Sequence, residues 1–299
     1  MVTEPLHMDA NHTSSAAVAP LGLIAGGGDL PVELLRHAAR QGGPAVVAVG
    51  FRDFTSAEVA PAAAHFEYIG VGQLGKMLKI FKRHGVREAV MLGGLSPHLT
   101  IADVGLDLRM LLLAARTKDR RADSVLRAIA DEMAKDGIHL ADSTTHLQHL
   151  LAGTGALTKT APDKKQWLDV QFGLELALAI GGLDIGQTVV VRKHAVGAVE
   201  AMEGTDACIK RAGALAKGVV VVKMAKPRQD LRFDVPCVGL DTINVMVEAE
   251  AAVLAVEAGK TFLLDKERML AQAERQGIVV VGIAPERGGS AGIHGSDEQ

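Results

Sequence analysis

The chain has 299 residues, of which 48% are hydrophobic and 22% charged, with a formal net charge of −3. That balance describes an ordinary globular protein with ample core and gives no case for general nucleic-acid binding. At this length two domains are the default expectation, and an aromatic share of only 3% leaves the core to Val, Leu, Ile and Ala, which favours α/β layers over an aromatic-rich sandwich. No run of about 18 uncharged apolar residues occurs, so no membrane span is expected. Cys208 and Cys237 form no CxxC and read as two reduced thiols of a cytoplasmic protein. Residues 1–19 lack the basic and apolar parts of a signal peptide and read as a polar, disordered lead-in.

Leu21–Ala25 reads as a buried strand, Gly26-Gly27-Gly28 as a tight turn, and Pro31–Arg40 as a helix with proline where a missing N–H costs nothing. With a second strand at Ala45–Val49, this opens a nucleotide-binding β-α-β pattern whose glycines would let a phosphate approach backbone N–H groups. Taken alone, the triple glycine is either a ligand cradle or a structural turn. A nicotinamide cofactor fits less well. Pro31 stands where the third glycine belongs, and the strand runs into Val49-Gly50-Phe51 without the ribose-binding acid.

Further on, His65–Ile69 and Ala89–Leu92 read as strands around a helix, Gln73–His84, whose Leu74, Met77, Leu78 and Phe81 face inward. Gly93-Gly94 ends the later strand. Ligands of open parallel sheets sit beyond strand carboxyl ends, so Gly26–Gly28 and Gly93-Gly94 are expected to line one crevice. Residues 106–135 read as helical, with Arg120-Arg121 as a solvated corner. The leucines there are either plain core or apolar lining for a lipid. His146 and His149 stand three apart, but no third metal ligand is apparent, so a surface or capping role is preferred.

Residues 153–165 have linker composition and are taken as a boundary between a domain of residues 20–152 and another of residues 166–285. A helix is expected over Gln166–Ile180 with Leu168, Phe172, Leu176 and Ile180 on one face. Strands follow at Thr188–Arg192 and Ala195–Ala201, paired across Lys193-His194. Glu203-Gly204-Thr205-Asp206 opens another helix. Its Thr205 or Asp206 is either a plain N-cap or part of an anion site. A helix over Asp241–Glu257, a strand at Thr261–Leu264, a helix over Lys266–Gln276 and a strand at Ile278–Ile283 complete the domain. A Gly/Ser-rich tail, 286–299, reads as flexible.

The stretch 223–242 is the most informative. After the apolar run Val219–Val222 it carries four cations (Lys223, Lys226, Arg228, Arg232) and two carboxylates (Asp230, Asp234), bracketed by Pro227 and Pro236. Cations with a strand-end carboxylate suit a phosphorylated substrate. A charged edge strand with its prolines is the competing reading.

Gly22-Leu-Ile-Ala-Gly-Gly-Gly28 with Leu30-Pro31, Glu203-Gly-Thr-Asp206, Lys226-Pro227, and Arg232-Phe-Asp-Val-Pro236 with Gly239, in this order, resemble the LpxI family. These are the UDP-2,3-diacylglucosamine pyrophosphatases of lipid A biosynthesis, and the likeness spans residues 20–285. The resemblance implies an α/β protein with a Rossmann-like N-terminal domain, a second α/β domain and an active site in the cleft between them. It implies hydrolysis of UDP-2,3-diacylglucosamine to UMP and 2,3-diacylglucosamine 1-phosphate (lipid X), with water attacking the β-phosphorus.

By the same resemblance Asp234 is the critical carboxylate, binding Mg²⁺ or another hard divalent cation or orienting water, and Asp206 is a second metal ligand. Lys226 and Arg232 hold phosphate oxygens, and Asp230 is secondary. Gly26, Gly27, Gly28, Leu30, Gly93, Gly94, Glu203, Gly204 and Thr205 contact substrate. A lipid substrate implies peripheral contact with the cytoplasmic face of the inner membrane in a Gram-negative cell, and a homodimer is the default oligomer. Two rivals stand beside this reading, a dinucleotide-binding oxidoreductase and a non-catalytic nucleotide-sugar or lipid-binding protein.

Overall fold

The computed structural model describes residues 18–95, 105–117, 119 and 122–284, with backbone alone at 122 and 123. The expected lead-in lies outside the described residues except for its last two, the expected tail lies wholly outside them, and so do Arg120 and Arg121.

The N-terminal half is built on Leu21–Ala25 (β1), Val46–Phe51 (β2), His65–Ile69 (β3), Glu88–Leu92 (β4) and His139–Leu140 (β5). These form one parallel sheet in the order β3-β2-β1-β4-β5. β1 and β2 are buried along their whole length, as a parallel sheet covered on both faces demands. Leu30–Gln41 (α1) packs Val32, Leu34 and Leu35 onto Leu21, Leu23 and Ala48. A short turn of helix, Val59–Ala62 (α2), precedes β3. Leu74–Arg83 (α3) packs the four residues read as inward onto Ile24 and Val47 of the other face. Leu108–Arg116 (α4) and Ala122–Lys135 (α5) follow β4.

The C-terminal half holds a six-stranded sheet of Gly155–Ala156 (β6), Thr188–Arg192 (β7), Ala195–Val199 (β8), Val220–Lys223 (β9), Val253–Glu257 (β11) and Val279–Ile283 (β13), ordered β6-β13-β11-β9-β7-β8. Its centre, β13-β11-β9, is parallel, and β6, β7 and β8 join antiparallel. Along β9 the side chains alternate. Val220 and Val222 meet the long helix Lys164–Gly182 (α6), whereas Val221 packs with Thr205–Gly213 (α7), Leu240–Glu248 (α8) and Lys266–Arg275 (α9). β7 and β8 turn back across Lys193 and His194, both at positive φ, as read from the sequence. The buried Asp169 of α6 accepts both of their backbone N–H groups at 2.9 and 2.8 Å and so fixes this strained turn.

The helix expected over Asp241–Glu257 ends at Glu248, and Val253–Glu257 is instead a central strand. Glu250 takes a φ of 47°, which breaks the helix, and the chain re-enters the sheet. On α6 the fully buried face is Val170, Gly173, Ala177 and Gly181; of the four residues expected inward, Phe172, Leu176 and Ile180 pack half-buried beside it and Leu168 is 49% exposed. The helix lies so close to the sheet that a Cβ on Gly173 would stand 2.6 Å from Val222. Small residues, not large ones, are what this contact needs. Part of the expected linker is also ordered sheet. β6 pairs with β13, Leu157 N–H donates to Val280 O, and Thr158 Oγ1 accepts from Val280 N–H.

The two halves are stitched together. Cys237–Val238 (β10) and Phe262–Leu263 (β12) form a separate parallel pair. Val235 and Phe262 bury themselves among Leu21, Leu23, Val90 and Leu147 of the N-terminal half. Each such side chain contributes about 1.5–3 kcal/mol when fully buried. The buried Ser143 adds polar ties, with its Oγ 2.7 Å from Met91 O and 3.2 Å from Arg232 O. Residues 231–238, from the C-terminal half, are therefore laid across the carboxyl end of β4. No helix among the described residues is long and apolar enough to cross a membrane.

Candidate active site

Within Arg232-Phe-Asp-Val-Pro236 the side chains alternate. Phe233 and Val235 pack inward against the N-terminal half, and Asp234 between them is exposed. A turn places it there, since the Phe233 and Asp234 N–H groups both donate to Asp230 O at 3.0 and 3.3 Å. Gln229 steadies the carboxylate. Its side chain donates to Asp234 Oδ2 at 2.7 Å and accepts from the backbone N–H of Lys226 at 2.8 Å. Asp234 Oδ1 has no hydrogen-bond partner among the described residues.

Asp234 and Phe233 sit on the rim shared by two cavities. The larger, about 520 Å³, is lined by Lys226, Arg228, Gln229 and Asp230, by Ser124 and Arg127 of α5, and by Gly181 and Gly182 at the end of α6 with Asp184 just beyond. The smaller, about 330 Å³, is lined from the N-terminal half by Leu30, Met91, Leu92, Gly93, Gly94 and Ser143, and from the C-terminal half by Gln187, Lys223, residues 233–237 and Phe262.

The charges in the larger cavity are largely pre-paired. Lys226 Nζ lies 2.5 Å from Asp184 Oδ1. Arg232 lines neither cavity, because its Nε and Nη2 fork onto Asp230 at 2.9 and 2.7 Å. Arg228 and Arg127, neither singled out as a site residue from the sequence, are exposed cations that do line it, Arg127 with its Nε 3.8 Å from Asp230.

The hydrogen bonds from Arg232 hold the Asp230 carboxyl below the usual carboxylate range, against burial, which pushes it up; Asp230 in turn raises Arg232. A depressed folded-state value means that the pair's stabilisation is present above the unfolded value of about 3.9 and is lost as pH falls through the lower folded value. Asp230→Asn is therefore expected to melt at lower temperature than wild type at neutral pH and to lose less between pH 5 and pH 2.5. Parallel melting-temperature curves for the two proteins would show that the pair contributes nothing.

The glycine loops do meet, but by bonding each other. Gly26 N–H donates to Leu92 O at 2.8 Å, Gly27 N–H to Gly94 O at 2.7 Å, and Gly94 N–H to Gly27 O at 3.2 Å. A Cβ on Gly26 would stand 2.6 Å from Gly93 O. Gly26 and Gly27 thus serve the junction of β1 and β4, and their N–H groups are not offered to a phosphate. Gly28, at φ 86°, has open space beside it, and Leu30, Gly93 and Gly94 line the smaller cavity.

In the segment 203–206, Gly204 precedes α7 at φ 81°. Glu203 accepts from its own and the Ala201 backbone N–H groups and pairs with Arg211; its own N–H is the leading cause of its lowered carboxyl pKa. Asp206 is exposed in the first turn of α7 and lines neither cavity, so Asp206 and Asp234 are not brought together at either one. Thr205 turns inward, accepting from Lys223 Nζ and donating to Glu200, both at 2.9 Å. Sequence reasoning missed Gln187, Glu200 and Gln229. A lysine closing a run of valines was the available signal for a polar group beneath the site.

Outside these cavities, His146 pairs with Glu88 and His149 with Glu33, and His149 stacks on His37 at 4.0 Å. Among the described residues no group of three or more His, Cys, Asp or Glu is placed to hold a metal ion. Both cysteines are free thiols, pushed up by burial to about 12 for Cys208 and about 11 for Cys237.

Comparison with known proteins adds to this geometry. The family model described as the LpxI N-terminal domain matches residues 20–158, and that of the LpxI C-terminal domain matches residues 153–281. The UDP-2,3-diacylglucosamine pyrophosphatase LpxI of Caulobacter vibrioides is 35% identical over 282 residues, covering 89% of this chain and 98% of that protein. Among solved structures, the biotin carboxylase domain of a single-chain bacterial carboxylase aligns over 64% of this chain and 54% of its own at 15% identity, with a TM-score of 0.27. Two domain matches in tandem and a relative aligned almost end to end, over the segments that build the two cavities, place this chain in the LpxI family.

Proposed function

We propose that the protein hydrolyses the pyrophosphate bond of UDP-2,3-diacylglucosamine in lipid A biosynthesis, yielding UMP and lipid X. The observation that carries this reading is Asp234, presented on the rim common to two cavities, in a chain aligned nearly end to end with a relative named for that activity. A diphosphate lying across that rim would place one phosphate toward each cavity, which makes the space between the two halves the active site. Asp234, steadied by Gln229, orients the attacking water and accepts its proton. The water oxygen bonds the β-phosphorus, and the bond to the bridging oxygen breaks so that UMP leaves with it. Lys226 and Arg228 supply positive charge to the phosphate oxygens from the larger cavity.

Magnesium fits as a one-carboxylate site. Mg²⁺ commonly takes one or two carboxylates, with waters and substrate phosphate oxygens completing its shell. Asp234 Oδ1 is uncommitted among the described residues and suits that role. When bound, the ion would neutralise developing charge on the diphosphate. The two acyl chains place the reaction at a membrane surface, at the cytoplasmic face of the inner membrane of a Gram-negative cell. Leu108, Leu111 and Leu112 of α4 give apolar surface for it, at 71%, 53% and 47% exposure.

The test is UMP release from UDP-2,3-diacylglucosamine in detergent, with Mg²⁺ or with EDTA. Turnover in Mg²⁺, reduced by EDTA on the order of 100-fold and restored by added metal, is expected. A folded protein that binds the substrate yet forms no UMP with any divalent metal would instead be a binding protein.

A further inference from the structure

β9 runs through the buried Val220, Val221 and Val222 and ends on a charge buried almost as deeply, Lys223, at 6% exposure. A cation in such a place is stable only with hydrogen-bond partners. Lys223 forms no direct ion pair among the described residues. Its Nζ donates to Thr205 Oγ1 at 2.9 Å and to Cys237 O at 3.1 Å, both neutral acceptors. Glu200, also 6% exposed, is reached through the Thr205 hydroxyl. An ammonium has three N–H groups, so one is left uncommitted.

Lys223 lines the smaller cavity, and so does Gln187. The Gln187 backbone N–H is tied to Glu200 at 3.3 Å, but its side-chain Oε1 is buried without a hydrogen-bond partner. A buried acceptor left this way calls for a donor that the described protein does not supply. A cation with one spare N–H and an acceptor without a donor thus share the cavity that Asp234 overlooks.

We infer that Lys223 and Gln187 form a substrate subsite in the smaller cavity. Lys223 holds a phosphate oxygen, and Gln187 accepts a hydrogen bond from a hydroxyl or N–H group on the same half of the substrate. Thr205 is a positioning residue, passing the Glu200 carboxylate's hold to the ammonium. The identity of the phosphate rests on the pyrophosphatase reading; the presence of a cation with a spare N–H beside an orphan acceptor does not.

Removing the lysine alone leaves the Glu200 charge buried without the cation that reaches it through Thr205, so Lys223→Met is made together with Glu200→Gln. Thr205→Val, Thr205→Ser and Gln187→Leu are made singly. Melting temperature, calorimetric titration with inorganic pyrophosphate, and steady-state kinetics are measured on each. For the double variant the expected result is a cooperative melt, pyrophosphate affinity lowered about 10-fold or more, and kcat/KM lowered on the order of 10² to 10³. Thr205→Val is expected to lose about 10-fold in kcat/KM and Thr205→Ser to recover most of it, because only the hydroxyl bridge is needed. Gln187→Leu is expected to melt no lower than wild type while KM rises, an outcome that a purely structural glutamine would not produce.

Active wild type with pyrophosphate affinity and kcat/KM unchanged in a folded double variant overturns the subsite and leaves Lys223 a structural tie. Inactive wild type whose pyrophosphate binding still depends on Lys223 keeps the subsite and overturns the pyrophosphatase reading.

Discussion

Asp234→Ala is expected to lower kcat for UMP release by about 10³-fold while the substrate's Kd changes less than about threefold. The reason is positional. Asp234 is exposed on a shared cavity rim and makes one side-chain hydrogen bond, to Gln229, so its removal leaves no hole and no buried orphan. A carboxylate that acts on water is needed in the transition state more than in the bound complex. Gln229→Ala is expected to fall between wild type and this variant, because it frees the carboxylate without removing it. Single-turnover kinetics with equilibrium binding in detergent separates the cases. Full activity in Asp234→Ala would move the chemistry to another carboxylate, with Asp230 or Asp206 next in line. A parallel collapse of binding would make Asp234 an anchor.

The second large effect concerns stability. Gly93→Ala is expected to destabilise the fold by about 3 kcal/mol or more and to lower the melting temperature by about 6–12 °C. Gly93 sits at φ 85°, where an L side chain is strained, and its Cβ would stand 2.2 Å from Gly27 O and 2.9 Å from Gly26 C. Those are backbone atoms held in the Gly27–Gly94 hydrogen bonds, so no rotamer change relieves the overlap. Two neighbours serve as controls. Gly28, at φ 86° with open space, is expected to lose only the left-handed penalty of about 1–2 kcal/mol on substitution by alanine. Gly94 has room for a Cβ, with nothing within 4 Å of it, and no positive φ, so it is expected to change by about 0.5 kcal/mol or less. Thermal melts of the three variants give the order Gly93 far above Gly28, with Gly94 smallest. Equal losses would mean that the loop junction relaxes freely.

The same loops mark how far local preference reaches. The strand, triple glycine and helix at 21–41 were legible because apolar runs and glycine act locally. That the Gly26 and Gly27 N–H groups are taken by Leu92 at the end of β4 and by Gly94 just beyond it was not, because the partners lie more than sixty residues away. The helix read over 241–257 failed for a related reason. A fully buried parallel strand such as Val253–Glu257 has no polar alternation, and beside an alanine-rich helix end it carries the same composition as more helix. On α6 the periodicity pointed to Leu168, Phe172, Leu176 and Ile180, the last three of which flank the core half-buried, whereas the closest approach of the sheet required Gly173, Ala177 and Gly181.

The sequence by itself determined the α/β class, most strand and helix positions and the hairpin at Lys193-His194. Each depends on neighbours along the chain or on motif order. Only the tertiary structure decided that residues 231–238 cross onto the N-terminal sheet, that Arg232 is committed to Asp230, and that Lys223, Thr205, Glu200 and Gln187 converge beside one cavity. Those facts turn on which hydrogen-bonding groups remain uncommitted once distant strands have met, and local preference carries no information about that.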